Sequence, residues 1–295
     1  MKILVTGAAG GVGSAVAREL LNCGHEVRVL DRAAPPLDLK NRVEVVYADL
    51  TDRMAMLRAV EGCEAIAHLA AIPNPAGGRE LEIFHPNVVG TQYLLAAAQA
   101  QGIGRVVLAS SCAIYGAPFA KNPFSFRYLP IDEAHPIEPQ DLYALSKQFN
   151  ELTAATYTRR CEMATTCLRI NMVVNFADKN ARWLRRHIER AAEWPSHDLW
   201  HYIEVRDVAR AFRLALENVE TGHHVAILVA RDLLATADRR ELIRRHYPQL
   251  EPLLDSDWDF DAYGFWDSRR AEELFGFVAE RFWRDAPELS ESPGA

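Results

Sequence analysis

No stretch of about 18 uninterrupted apolar residues occurs in this 295-residue chain, so no membrane-spanning helix is expected. Basic residues are outnumbered, 33 Lys and Arg against 40 Asp and Glu, and the formal charge of −7 does not suit a general nucleic-acid binder. No C-x-x-C pair links the five cysteines, Cys23, Cys63, Cys112, Cys161 and Cys167. An odd, scattered set of this kind implies reduced thiols and a cytoplasmic setting. The ten histidines show no H-E-x-x-H or comparable spacing, so no catalytic metal is expected. The apolar run Ile3–Val5 is too short for the core of a signal peptide and breaks at once into glycines. There is no internal repeat and no low-complexity linker.

What the chain does have is enough apolar residue, 49%, for a sizeable core, arranged in strand-like and helix-like segments that alternate. Strands are expected at Ile3–Val5, Val27–Leu30, Val43–Tyr47, Ala65–Ala70, Val106–Ala109 and Thr165–Ile170. Helices are expected at Val12–Leu21, Arg53–Val60, Asn87–Ala100 and Leu142–Arg159. Consecutive apolar residues mark strands buried on both faces. Regular alternation with helices implies right-handed crossovers and an α/β fold, a doubly wound parallel sheet of the Rossmann type. In such sheets ligands bind at the carboxyl ends of the strands. Beyond Asn171 the alternation weakens, with helices at Arg182–Glu193 and Asp207–Glu217 and a late strand at Val225–Val229. The expected division is a dinucleotide-binding domain over 1–170, completed by 205–230. A smaller C-terminal substrate-binding region takes 171–204 and 231–295, and Pro287–Ala295 reads as a frayed tail.

Between the first strand and first helix runs Thr6-Gly7-Ala8-Ala9-Gly10-Gly11-Val12-Gly13. Gly7 permits the tight turn, Gly10 lets backbone approach a pyrophosphate, and Gly13 lets the helix pack on the sheet. The helix start supplies free N–H groups to phosphates, so Ala9, Gly11 and Val12 join the expected cofactor cradle. Asp31 ends the second strand, where a carboxylate accepts bonds from an adenosine ribose and repels a 2′-phosphate. Arg32 beside it could pair with such a phosphate; Asp31 decides the reading for NAD over NADP. Asp49-Leu50, after the third strand, is placed to touch adenine, with a helix cap as the competing role for Asp49.

Tyr143 and Lys147 stand four residues apart on one helix face. An ammonium near a phenol favours the phenolate, and a tyrosine so activated exchanges protons near neutral pH. The spacing alone is weak, arising by chance about 0.15 times in a chain with this many tyrosines and lysines. Ser110-Ser111 adds weight, because it lies at the carboxyl end of the fifth strand, where Ser111 can orient a substrate oxygen. Cys112 follows without an adjacent base and reads as a small buried residue.

These pieces, with His68 to Ala71, Asn87 to Thr91, Ser110 to Gly116, Leu168-Arg169 and Val205 to Ala209, run in one order across residues 1–210. In that order the chain resembles the extended short-chain dehydrogenases/reductases, the NAD-dependent sugar epimerase/dehydratase family. The resemblance implies Ser111, Tyr143 and Lys147 as the catalytic set. It places Leu69, Ala70 and Ala71 along the cofactor and Asn87 near cofactor and active site. It also implies dimerisation through the helices near Asn87–Ala100 and Leu142–Arg159. The sequence departs from the family after Asn171, where Met172-Val173-Val174-Asn175-Phe176 replaces a Tyr-Gly-Pro type turn. Asp267-Ser268 resembles the matching segment of uronate dehydrogenases.

The expected activity is NAD(H)-dependent oxidation–reduction, epimerisation or dehydration at a hydroxyl or carbonyl of a sugar or sugar nucleotide. Two alternatives stay open: a dehydrogenase or ketoreductase of another small metabolite, and a non-catalytic NAD(H)-sensing protein. For the substrate end, Asn171, Arg182 and Arg186 are the expected contacts. Arg182, Arg185, Arg186 and Arg190 share a helical face that meets a diphosphate or carboxylate, or simply water. Trp194, Trp200 and Tyr202 read as packing residues.

Overall fold

The computed structural model describes residues 1–75, 80–177, 181–218, 220–254 and 257–290, the side chains of Ala181, Arg182, Glu288 and Ser290 excepted. The first half alternates β1 (Lys2–Thr6), α1 (Gly11–Asn22), β2 (Glu26–Asp31), α2 (Leu37–Lys40), β3 (Glu44–Tyr47), α3 (Arg53–Val60) and β4 (Ala65–His68). There follow α4 (Glu80–Ala100), β5 (Arg105–Ser111), a 3-10 turn over Cys112–Tyr115, α5 (Leu142–Cys161) and β6 (Ala164–Ile170). The second half carries β7 (Val173–Val174), α6 (Ala181–Glu189), β8 (Ile203–Glu204), α7 (Val205–Asn218) and β9 (His223–Leu228). Short helices close the chain: α8 (Arg239–His246), α9 (Phe260–Tyr263), α10 (Arg269–Phe275) and α11 (Pro287–Ser290).

Seven strands form one parallel sheet in the order β3-β2-β1-β4-β5-β6-β9. Strand order reverses between β1 and β4, which pair in register from Ile3 against Ala65 to Thr6 against His68. That reversal opens a crevice at the carboxyl ends of the strands, the place where ligands of doubly wound sheets sit.

Local chemistry explains the helix starts around the crevice. Asp52 caps α3 by accepting from the Ala55 N–H at 2.9 Å. Asp141 caps α5, accepting from Tyr143 N at 2.8 Å and Ala144 N at 2.9 Å. That cap fixes the first turn of α5, and so the direction in which Tyr143 leaves the helix.

Three boundaries differ from the sequence expectation. The helix expected from Asn87 starts at Glu80 and runs through Pro86. A proline removes the N–H that would have met the carbonyl four residues earlier and crowds that carbonyl with its ring, yet this helix continues through Pro86 with that bond missing. The cores do not divide at residue 170. The main core joins Ile3, Val5 and Leu168 to Phe176, Tyr202 and Phe275, whereas the second joins Tyr115, Phe126 and Ile131 to Trp200, Phe260 and Trp266. The segment after β5 therefore packs with the C-terminal region. The expected frayed tail begins with a helix, α11, whose Leu289 is buried in the main core; residues 291–295 lie outside the described set.

Asp207 ties the end of the chain to this frame. It is fully buried and accepts from Glu280 N and Arg281 N, each at 2.9 Å, and from the Arg281 guanidinium at 2.8 Å. The motif Val205 to Ala209 thus has a structural task on α7.

Candidate active site

The crevice is a cavity of about 1170 Å³. Single ligand pockets run to about 300–1,000 Å³, so this one has room for a cofactor and a second molecule. At one end stand Gly7, Gly10, Gly11, Val12 and Gly13. Gly7 has φ +79°, and a Cβ there would come within 2.7 Å of the Ala70 N. The loop after β1 and the loop after β4 are thus in contact, and Gly7 is the residue that lets them meet. A Cβ on Gly13 would sit 2.1 Å from the Gly7 carbonyl oxygen, which fixes α1 against the loop. Gly11 faces open space, with nothing within 4 Å of where its Cβ would be.

Gly10 caps α1 without a side chain, and no acidic residue lies in the first turn. Its leading N–H groups and the positive end of the helix dipole therefore open on the cavity and suit a phosphate. Asp31 joins loop and strand: one oxygen accepts from Ala9 N at 2.9 Å, the other from Ala33 N at 3.1 Å. Ala9 thereby commits its N–H to Asp31 and is not among the residues lining the cavity. Arg32 is well exposed and pairs with Asp49 at 3.4 Å. The Asp49 carboxylate also accepts from Thr51 N at 2.9 Å and Thr51 Oγ1 at 2.7 Å, bonds that hold its pKa below the usual range. The cap of α3 is Asp52, so Asp49 shapes the turn before it and keeps Arg32 beside a negative charge. Backbone donors at a helix start, a carboxylate lining the cavity at the end of β2 and an Arg32 paired with Asp49 fit NAD.

Behind this cradle a hydrogen-bonded chain fixes the loop after β4. Thr6 Oγ1 accepts from Leu69 N and Ala70 N, each at 3.1 Å, so its own proton points to His68 Nδ1 at 2.8 Å. His68 must then carry its proton on Nε2, which meets Thr91 Oγ1 at 2.9 Å, and Thr91 in turn donates to the Asn87 carbonyl at 2.7 Å. Burial holds the pKa of His68 down at about 3, so it stays neutral. Asn87 clamps the Ile72 backbone with both ends of its amide, at 2.8 and 3.1 Å, and reaches Ser146 at 3.1 Å. It stands at the cavity wall as a link between α4, α5 and the β4 loop. Leu69, Ala70 and Ala71 line the cavity beside it.

At the centre lie Ser111, Tyr143 and Lys147. Ser111 ends β5 and caps the following 3-10 turn through Ala113 N at 3.1 Å. Lys147 donates to the Ala109 carbonyl at 2.8 Å, and its Nζ is 5.6 Å from the centre of the Tyr143 ring. Phe119 packs edge-on against that ring. The expectation that Lys147 holds the phenol below its ordinary pKa needs correction. Burial pushes Tyr143 up to about 12, and the neighbouring Ser111 draws it back only in part. Burial likewise brings Lys147 down to about 8. Desolvation is the largest cause of both shifts in the free protein.

Beneath the pair, α5 and β6 carry a buried ion pair that the sequence did not reveal. Arg169 meets Glu151 through two bonds, at 3.0 and 2.8 Å, and also reaches Tyr115 Oη at 2.8 Å. Ser110 Oγ donates to the same Glu151 carboxylate at 2.5 Å. The residue next to Ser111 is thereby locked, one turn of α5 beyond Lys147.

At the far end the cavity is lined by Asn171, Met172, Val174 and Asp198. Asp198 was not singled out in the sequence, because nothing in His197-Asp198-Leu199 distinguishes it from a surface turn. Arg186, expected here, is exposed and does not line the cavity. Arg190, on the same face, pairs with Glu193. The side chain of Arg182 lies outside the described residues. Trp200 and Tyr202 are buried as expected of packing residues, and Cys112 is buried with a thiol pKa pushed well up.

With this geometry in view, residues 3–230 match the NAD dependent epimerase/dehydratase family. The chain belongs to that family. It is an extended short-chain dehydrogenase/reductase, an enzyme, and NAD is the cofactor of its family. It is 30% identical over 253 residues to a UDP-glucose 4-epimerase of Corynebacterium glutamicum, covering 76% of this chain and 73% of that protein. It is 29% identical over 239 residues to a uronate dehydrogenase of Pseudomonas syringae, 81% of this chain and 78% of the relative. A short-chain dehydrogenase/reductase superfamily protein from Agrobacterium tumefaciens, solved with bound NAD, superposes with a TM-score of 0.73 at 25% identity. That match covers 98% of this chain and 95% of the other.

The glycine loop gives a test. Gly13→Ala places a methyl group against an immovable backbone carbonyl and is expected to cost about 3 kcal/mol of unfolding free energy in urea. Gly11→Ala, facing open space, is expected to stay within about 0.5 kcal/mol of the parent. Equal midpoints for the two variants would contradict the packing described.

Proposed function

We propose that this enzyme acts on a secondary hydroxyl of a sugar or sugar nucleotide, with Tyr143 as the acid/base, Ser111 orienting the reacting oxygen and Lys147 supplying the charge. The observation that supports this reading best is the meeting of Ser111, Tyr143 and Lys147 in the cavity onto which the glycine loop opens. The cofactor residues are Gly7, Gly10 to Gly13, Asp31, Leu69 to Ala71 and Asn87, with Arg32, Asp49 and Leu50 around the adenosine end. NAD, when bound, supplies a hydride acceptor and a positive ring charge.

The chain's own residues do the proton chemistry. Tyr143, held protonated by burial, is ready to give a proton to a carbonyl oxygen. To take one from a hydroxyl it must first become a phenolate, which the buried Lys147 ammonium, 5.6 Å from the ring centre, stabilises. Ser111 donates to the same oxygen and keeps it facing the phenol. If the ketone formed leaves, the net result is oxidation; if it stays and is reduced on the other face, the result is an epimer. Relatives named for each outcome, an epimerase and a uronate dehydrogenase, support a sugar in this cavity.

The test is Tyr143→Phe. Removing one hydroxyl is expected to lower kcat/KM by about 10²–10⁴-fold on whichever of UDP-glucose or D-glucuronate the parent converts. NADH affinity, followed by its fluorescence, should be retained. Undiminished turnover would refute the assigned role.

We further infer a homodimer in the cytoplasm, formed through α4 and α5. Leu81, Phe149 and Leu152 on these helices are exposed, and Phe84 and Phe149 meet edge to face at 5.4 Å. All five cysteines are free, as a reducing compartment requires. No helix among the described residues is long and apolar enough to cross a membrane. Light scattering at micromolar concentration should give twice the chain mass, and Phe149→Glu should halve it. A monomeric parent, or recovery with the membrane fraction of cells, would refute this.

A further inference from the structure

Asp198 lines the same cavity as Tyr143, Asn171 and Met172. Its backbone is firmly held: the carbonyl accepts from Trp266 Nε1 at 3.2 Å and from His201 N at 3.1 Å. Its carboxylate oxygens, by contrast, have no hydrogen-bond donor among the described residues. The two residues that follow, Leu199 and Trp200, are buried yet take left-handed backbone angles, φ +52° and +59°. Such angles are uncommon outside glycine and are kept only where surrounding structure imposes them. Here Ser196 does so, accepting from Leu199 N at 2.9 Å through its carbonyl and from Trp200 N at 3.0 Å through its hydroxyl.

A second side chain at this end is also incomplete. Asn171 is 5% exposed, its Oδ1 accepts from Met172 N at 2.7 Å, and its buried Nδ2 meets no oxygen or nitrogen acceptor, only the Cys112 thiol. The thiol of Cys112 lies beside both groups: Asp198 raises its pKa and Asn171 lowers it. One wall therefore presents a part-exposed carboxylate with no protein donor and a buried amide donor that meets only a weakly accepting thiol. Adjacent hydroxyls of a sugar, each able to donate and accept, complement that pair. Among the described residues, the basic side chains lining the cavity are Arg32, paired with Asp49, His85, and Lys147, bonded to Ala109; the side chain of Arg182 lies outside that set.

We propose that Asp198 is a specificity-determining residue, which accepts a hydrogen bond from a hydroxyl of the sugar held against Tyr143 and rejects a sugar bearing a carboxylate at that position. This rests on the sugar-oxidising reading of the site given above. Charge sets the direction of the selection. Burial raises the pKa of Asp198 to about 7. Among the described residues, the titratable groups whose pKa it raises are Cys112, on the turn after β5, and Tyr247, after α8; neither supplies a positive charge. The group is neutral below that value and charged above it, so rejection of an anionic sugar strengthens as pH rises through about 7.

Two substrate pairs test this, UDP-glucose with UDP-glucuronic acid and glucose with glucuronic acid, each pair differing by a hydroxymethyl group against a carboxylate. Products are followed by chromatography with NAD present. At pH 8.5 the parent is expected to favour the neutral member by at least about tenfold in kcat/KM, as repulsion between like charges held close together requires. That preference should shrink at pH 6 and fall about tenfold or more in Asp198→Asn. NADH affinity reports that the variant is folded, and Asp198→Ser replaces it if it is not. A preference unchanged within about twofold in the variant, while Tyr143→Phe abolishes turnover, would overturn this inference alone. Conversion of none of the four sugars, or conversion that survives Tyr143→Phe, would overturn the reading of the site and this inference with it.

Discussion

Lys147 leaves water to sit beneath Tyr143, and a single bond to the Ala109 carbonyl, at 2.8 Å, replaces part of its hydration. Both groups are harder to charge here than in water, the phenol rising to about 12 and the ammonium falling to about 8. Burial is the largest cause of both shifts in the free protein. In the proposed reaction, the positive charge that NAD would supply when bound would favour the phenolate, which would tie proton transfer to cofactor occupancy.

The rest of the fold keeps that pair in place. Asp141 sets the first turn of α5, and Arg169 with Glu151 and Ser110 locks the helix one turn further on. Removing Glu151 alone would leave a buried guanidinium uncompensated, the costly way to break such a pair. On the cofactor side the chain from Thr6 through His68 and Thr91 to Asn87 fixes the β4 loop against Gly7. Two rigid networks thus approach from opposite sides of the strand-order reversal, leaving the cavity between them.

Much of this was legible in the sequence because it is local. Strand and helix positions follow from apolar spacing, and the loop Gly7 to Gly13 announces its conformation through residue type. Tyr143 and Lys147 declare a shared face by being four apart. What was not legible depends on contacts distant in the chain. Arg169 finds Glu151 and Tyr115 only after β6 pairs with β5. Asp198 owes its place in the cavity to a turn held by Ser196 and Trp266. Helical spacing grouped Arg186 with Arg190, yet Arg190 falls one residue beyond the end of α6 and pairs with Glu193, and Arg186 is exposed and does not line the cavity. The pKa of Tyr143 went astray for a related reason: a sequence shows the neighbouring ammonium but not the burial that outweighs it.

The central claim is that burial, more than the neighbouring lysine, sets the proton affinity of Tyr143 until NAD is bound. Ultraviolet difference titration of the parent against Tyr143→Phe isolates that one phenol among nine tyrosines. The account predicts a free-protein midpoint well above the ordinary value of about 10, moving down when NAD⁺ saturates the protein. A midpoint at or below about 10 without cofactor, or one indifferent to NAD⁺, would contradict it.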